Sequence, residues 1–152
     1  MITLKEGDIS PTFEGVIQDG SSIKSDSFLG SKLILFFYPK DNTPGCTAAA
    51  CNLSENFEEL RNKGFKLLGV SPDAPEKHTK FIAKFNFPFD LLADVNKTVM
   101  NQFGVWGPKK FMGREYDGVH RTTFIIDEKG QIEHIITKVK TKDHTNQILN
   151  LF

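Results

Sequence analysis

The apolar run Leu33-Ile34-Leu35-Phe36-Phe37-Tyr38 constrains this chain more than any other stretch. Six consecutive large side chains leave neither face polar, which is the pattern of a strand covered on both sides. Such strands belong to layered α/β folds, in which helices shield a largely parallel sheet. Directly after the run, Pro39, Asn42, Pro44 and Gly45 break the strand. Thr43 suits the position before a helix, and Pro44 suits its first turn. Ala48, Ala49 and Ala50 carry that helix forward, since alanine has the best intrinsic propensity.

Both cysteines of the chain, Cys46 and Cys51, fall on this helix. Cys46 lies in the first turn, where unpaired backbone N–H groups and the positive end of the macrodipole favour a thiolate, the nucleophilic form. The Thr43 hydroxyl accepts one hydrogen bond and donates another. It can therefore cap the helix and still point its proton at the sulfur or at a bound substrate oxygen. Cys51 stands five positions further on, roughly 140° round and ~7.5 Å along an intact helix. The two Cα atoms are then about 8.5 Å apart, beyond the roughly 7 Å limit for a disulfide. Either the pair never bonds or the first turns unwind to let it, and the spacing does not choose.

Blander readings compete. Cysteine is among the most buried residue types, and a pair can be no more than small apolar core residues. Against that, the Thr-Pro-Gly-Cys turn follows a buried strand, at the sheet end where α/β proteins place ligands. Zinc is a poor fit, because two thiolates make half a tetrahedral site and no histidine stands at ligand spacing.

The pattern Pro39-x-x-x-Thr43-x-x-Cys46 resembles the peroxidatic-cysteine motif of the peroxiredoxins. The further Cys51 is similar to the bacterioferritin-comigratory-protein (PrxQ) branch, whose resolving cysteine sits on the same helix. Phe-Gly-Val-Trp-Gly at 103–107, Phe111-Met112-Gly113 and Tyr116-Asp117-Gly118-Val119-His120-Arg121 also resemble that branch, so the likeness spans nearly the whole chain. The resemblance implies that Cys46 attacks peroxide and Cys51 resolves the sulfenic acid, while Pro39, Thr43 and Arg121 shape the pocket. It also implies a thioredoxin-like fold and reduction by thioredoxin or a similar dithiol. Ala49 departs from the Glu or Gln common in the branch, and Ser54-Glu55 departs from Arg-Asp. Those departures bear on helix stability and partner docking.

Length and composition set the bounds. At 152 residues the chain is expected to form one domain, 1–152, with a sizeable core. Nineteen basic residues balance nineteen acidic ones, so no electrostatic footprint for nucleic acid or an anionic membrane appears. The N-terminal residues lack the apolar core of a signal peptide, and no apolar run approaches the ~20 residues of a membrane span. A cytoplasmic monomer is expected, in which any disulfide is transient and catalytic. No phosphate-binding glycine motif appears, and no flavin, nicotinamide, haem or metal is expected.

The remaining elements follow from periodicity and turn signals. A short hairpin is predicted from Thr12, with a turn near Ser25–Leu29. The cysteine helix should run from Pro44 to about Asn62, with Leu53, Phe57 and Leu60 inward, and Gly64 closes it. A second buried strand, Phe65–Val70, should lie parallel to the first through a right-handed crossover. A helix through Phe81, Ile82 and Phe85, a strand Phe89–Ala93 and a short helix Asn96–Phe103 come next. Gly104–Gly118 is weakly periodic and rich in large apolar groups, so an irregular segment packed on the domain is expected. Strands at Arg121–Ile126 and Gln131–Thr137 should form a hairpin. A closing helix, Thr141–Phe152, should turn Ile148, Leu149 and Phe152 inward. This order suits a thioredoxin-like α/β sandwich with a central mixed sheet flanked by helices.

The four histidines, His78, His120, His134 and His144, are scattered without ligand spacing. Each is therefore expected to be a surface or hydrogen-bonded residue, with His120 notable for adjoining Arg121. The leading expectation is a thiol peroxidase acting on hydrogen peroxide and organic hydroperoxides. The rival is a thioredoxin-fold binding module whose cysteines form a redox switch or are simply buried. A disulfide oxidoreductase is disfavoured by the lack of Cys-x-x-Cys.

Overall fold

The computed structural model describes residues 2–152. The apolar run becomes β3 (Lys32–Phe37), and the elements before it are the hairpin strands β1 (Glu14–Ile17) and β2 (Ser22–Lys24). After it come α1 (Pro44–Glu55), α2 (Phe57–Asn62), β4 (Phe65–Ser71), α3 (Pro75–Phe85), β5 (Asp90–Ala93) and α4 (Thr98–Phe103). The chain closes with β6 (Trp106–Phe111), β7 (Arg114–Val119), β8 (Thr122–Ile126), β9 (Ile132–Ile136) and α5 (His144–Leu149).

Seven strands form one mixed sheet in the order β2-β1-β5-β4-β3-β8-β9. β3 pairs parallel with β4 and antiparallel with β8, and β4 pairs parallel with β5. Alternation along β3 divides the core in two. Leu33, Leu35 and Phe37 face one layer with Val99, Met100 and Phe103 of α4. Ile34, Phe36 and Tyr38 face the other, with Leu53 of α1, Leu60 of α2, Phe81 of α3 and Ile148 of α5. Each such buried side chain contributes about 1.5–3 kcal/mol, so β3 is fixed in register from both sides. Gly69, opposite Phe36 on β4, has no room for a side chain: a Cβ there would sit 2.8 Å from Phe36 Cζ and 2.7 Å from Leu91 Cδ2. The cysteine helix thus starts at the carboxyl end of a strand locked into the middle of the sheet.

Three expectations need correction. The helix expected over 44–62 is two helices, broken at Asn56 (φ −107°, ψ 16°). The Asn56 amide side chain donates to the Asn52 carbonyl at 2.8 Å, so a side chain takes the acceptor that the helix ladder would use. The segment expected to be irregular is a two-stranded antiparallel hairpin, β6 with β7. Its two-residue turn, Met112-Gly113, has φ of 52° and 78°, the left-handed pair that hairpins favour. Val105 and Val119 at its base are buried, whereas Phe111, Met112 and Tyr116 towards the tip are exposed, so only the base packs on the core. The closing helix spans only His144–Leu149, and Phe152 is half-exposed, covering Phe65 edge-on rather than entering the core.

Candidate active site

Cys46 occupies the first turn of α1, buried to 2% exposure. The Arg121 guanidinium, just before β8, donates from Nη2 to the Cys46 sulfur at 3.3 Å. β8 lies beside β3, so the strand pair that starts the helix also delivers the arginine. The approach depends on Gly45. A Cβ at that position would lie 3.1 Å from Arg121 Nη2. Glycine beside the cysteine therefore leaves the gap that the guanidinium fills. Asn42, which turns the chain from strand to helix, takes the left-handed conformation (φ 60°) that asparagine tolerates.

Thr43 stands at the N-cap position (φ −94°, ψ 156°), but its side chain makes no capping bond. Its hydroxyl donates instead to the Lys40 carbonyl at 2.9 Å, which corrects the expected cap. The first backbone bond of the helix is Thr47 N–H to the Thr43 carbonyl, at 2.8 Å. The N–H groups of the first turn are consequently left without a side-chain cap, which suits an incoming oxygen. Pro39 is half-buried on the same loop.

A small cavity, about 10 Å³, sits against Cys46 and is lined by Tyr38, Ala49, Arg121, Thr123, Val139 and His144 among others. That is about one water in size. Pro39 and Thr43 lie outside its lining. Arg121 also borders an open groove with His120, Thr122 and Thr137, so it stands between the buried sulfur and the surface.

His144 closes the cavity and was not separable from the other histidines in the sequence. Gln147 Oε1 accepts from Lys140 N at 2.9 Å while Nε2 donates to the Lys138 carbonyl at 2.8 Å. The same Oε1 must then accept the His144 Nδ1 proton, at 2.9 Å. His144 Nε2 is left to accept the Thr123 hydroxyl, at 2.8 Å. Burial pushes the His144 pKa down, and the nearby Arg121 charge adds to this. The imidazole beside Cys46 is accordingly neutral, with both nitrogens engaged.

A second buried cluster anchors the loop. Tyr38 donates to Asp41 Oδ1 at 2.6 Å, and His78 Nδ1 meets Asp41 Oδ2 at 2.7 Å. His78 Nε2 reaches the Leu92 carbonyl at 3.0 Å. Asp41 N–H donates to Asp73 at 2.7 Å, and Ser71 donates to the same oxygen at 2.8 Å. Burial first, then Asp41, raises the Tyr38 pKa well above its ordinary value, so the phenol remains a donor. Tyr38 and Asp41 are three apart in sequence, but nothing local points to His78 or Asp73.

Cys51, half-buried on the same helix, is a free thiol like Cys46. Burial pushes its pKa up, and the Glu55 carboxylate four residues on adds to the shift. Among the described residues, no cluster of three or more His, Cys, Asp or Glu could hold a metal ion. No helix among them is long and apolar enough to cross a membrane.

A thioredoxin-like sheet with a cysteine–arginine pair at the carboxyl end of its central strand is the architecture of a peroxiredoxin. The chain belongs to the AhpC/TSA family, whose pattern it matches over residues 7–135. Within that family its likeness is to the bacterioferritin-comigratory branch. It is 47% identical over 150 residues to peroxiredoxin Bcp of Escherichia coli K12, covering 99% of this chain and 96% of that one. The peroxidoxin BcpB structure of Mycobacterium tuberculosis superimposes with a TM-score of 0.86 at 32% identity, over 97% of this chain and 96% of that one. The Xanthomonas campestris bacterioferritin comigratory protein superimposes with a TM-score of 0.85 at 31% identity, over 91% and 88% of the two chains. That protein was solved in trapped intermediate and ligand complexes bearing on its alkyl peroxide reduction activity.

Proposed function

We propose that the Cys46 thiolate attacks the O–O bond of hydrogen peroxide or an organic hydroperoxide, with Arg121 and the first-turn N–H groups holding the oxygens. The observation that carries this reading is the 3.3 Å contact of Arg121 Nη2 with a cysteine sulfur at a helix start. A guanidinium is always charged and stabilises the thiolate and the developing negative oxygen alike. The sulfur gains one oxygen and is oxidised to a sulfenic acid, while the other oxygen takes a proton and leaves as water or an alcohol. The Cys51 thiol then displaces hydroxide from that sulfur, forming the Cys46–Cys51 disulfide and releasing water. α1 unwinds to allow it, because an intact helix keeps the two Cα atoms about 8.5 Å apart.

Thioredoxin or a similar dithiol returns the pair to thiols, giving up two electrons and becoming a disulfide itself. In our reading Thr43 and Pro39 shape the approach to Cys46 as the helix opens, Thr43 by holding the Lys40 carbonyl. The whole span acts as one peroxiredoxin domain and as a monomer, since a single chain supplies every group invoked. Two free thiols suit the cytoplasm, which is where we place it.

The test is Cys46→Ser. Peroxide consumption with a dithiol reductant should disappear, because no other sulfur can be the first nucleophile. Consumption retained at the parent rate would overturn the reading and favour a module whose cysteines are only buried.

A further inference from the structure

We infer that Asn52 is a positioning residue that fixes where the unwinding of α1 stops, holding Cys51 in place while Cys46 comes to it. The inference rests on the disulfide step proposed above. It starts from a set of contacts that catalysis by Cys46 and Arg121 does not require. The Asn52 side chain donates from Nδ2 to the Lys142 carbonyl at 3.1 Å and accepts at Oδ1 from the Thr145 backbone N–H at 2.7 Å. The Thr145 hydroxyl in turn donates to the Asn52 carbonyl at 3.2 Å.

These bonds join two helices. Thr145 is the second residue of α5, and its N–H is one of the donors that a helix start leaves unpaired. No side chain of its own segment caps α5. Asn52 therefore caps α5 from α1, across 93 residues of sequence. Leu53, the next residue, is fully buried in the core beneath.

The two ends of the segment that must unwind are thus held differently. Between Cys46 and Cys51 stand Thr47 and three alanines, whose side chains offer little to grip. Beyond Cys51 the chain is held at once by two hydrogen bonds to Thr145 of α5, by one to the Lys142 carbonyl just before it, and by Leu53. Past the small buried Ala49 and Ala50, unwinding meets its first side-chain hydrogen bonds one residue beyond the resolving cysteine. Because α5 begins with His144, which lines the Cys46 cavity, a clamp that stays shut also keeps Thr123 and His144 in place while the helix opens.

Hydrogen exchange on the reduced and disulfide forms, with the disulfide confirmed by mass, tests the inference. Oxidation should remove amide protection across roughly residues 47–55, whose helical carbonyl partners lie at 43–51, and leave it at Thr145, whose partner is the Asn52 side chain. Loss of protection at Thr145 on oxidation, with the disulfide in place, would overturn the inference and leave the peroxidase reading standing. Failure of the disulfide to form at all would overturn both.

Asn52→Ala supplies the second arm. Thr145 should lose protection in both redox states, and the Cys46 sulfenic acid should persist about 5–30-fold longer, the range given by about 1 kcal/mol net for each of one to two lost hydrogen bonds. Asn52→Asp keeps the acceptor facing Thr145 N–H and should restore most of the parent resolution rate, which a variant harmed by general destabilisation would not do. Resolution in Asn52→Ala at the parent rate, or no recovery in Asn52→Asp, would overturn the positioning role.

Discussion

Replacing Gly45 by alanine sets stability against chemistry. Alanine is a better helix former than glycine by up to about 1 kcal/mol. Gly45 has no left-handed φ, so the backbone accepts the change. The new Cβ, however, would start 3.1 Å from Arg121 Nη2. Reaching an ordinary contact of about 3.5–3.8 Å moves the guanidinium by about 0.4–0.7 Å. With an effective dielectric constant of about 20, retreating that far from the present 3.3 Å weakens its attraction for a thiolate by about 0.5–0.9 kcal/mol. That corresponds to about a 2–5-fold loss in the second-order rate with peroxide. The assay is stopped-flow oxidation of the reduced protein, paired with a thermal melt. The expected outcome is a slower first step in a protein that melts up to about 4 °C higher. A parent-like rate would show that the close approach of Arg121 does not govern attack, and a lower melting temperature would show that Gly45 is not in the helix as described.

Two further outcomes follow from the site. Burial and Glu55 both raise the Cys51 pKa, so its thiolate becomes scarcer as pH falls and disulfide formation should speed up as pH rises. Glu55→Gln should shift that profile to lower pH, with about a twofold faster resolution near neutrality, as expected for one exposed like-charge pair four residues apart; an unmoved profile would assign the shift to burial alone. Asp41→Ala removes the hydrogen-bond partner of both Tyr38 and His78 inside the protein, and each buried group left unpaired costs about 1–3 kcal/mol, about 3–5 kcal/mol for the two in mid-range. The melting temperature should drop by about 6–20 °C, and a drop below about 3 °C would mean that water replaces the carboxylate.

What the sequence disclosed was mainly local. β3 and the start of α1 were legible because a doubly apolar run, a proline at the first helical turn and an alanine stretch all point the same way within twenty residues. The parallel β3–β4 pair followed from strand, helix and strand in order. The proximity of Arg121 to Cys46 came from family resemblance, since nothing local ties residues 75 apart. The hairpin of β6 and β7 was missed because its strands carry Gly107, Pro108 and Gly118, and because its turn uses Met112 rather than asparagine ahead of Gly113. The break at Asn56 depends on a side chain choosing the Asn52 carbonyl, which periodicity does not register. The Asp41–His78 pair and the neutral His144 are assembled by tertiary packing between distant elements.

The placement of both cysteines on one helix has an energetic consequence for the electron donor. In the cycle proposed above, the reduced protein keeps the backbone bonds of α1, and the disulfide form gives up those between Cys46 and Cys51. Whatever free energy those bonds hold is returned when the disulfide is broken, and it raises the reduction potential by roughly 20 mV for each kcal/mol. The absence of a capping bond at Thr43 keeps that increment modest. The helix thereby acts as a spring that makes the oxidised enzyme easier to recharge without making it hard to oxidise.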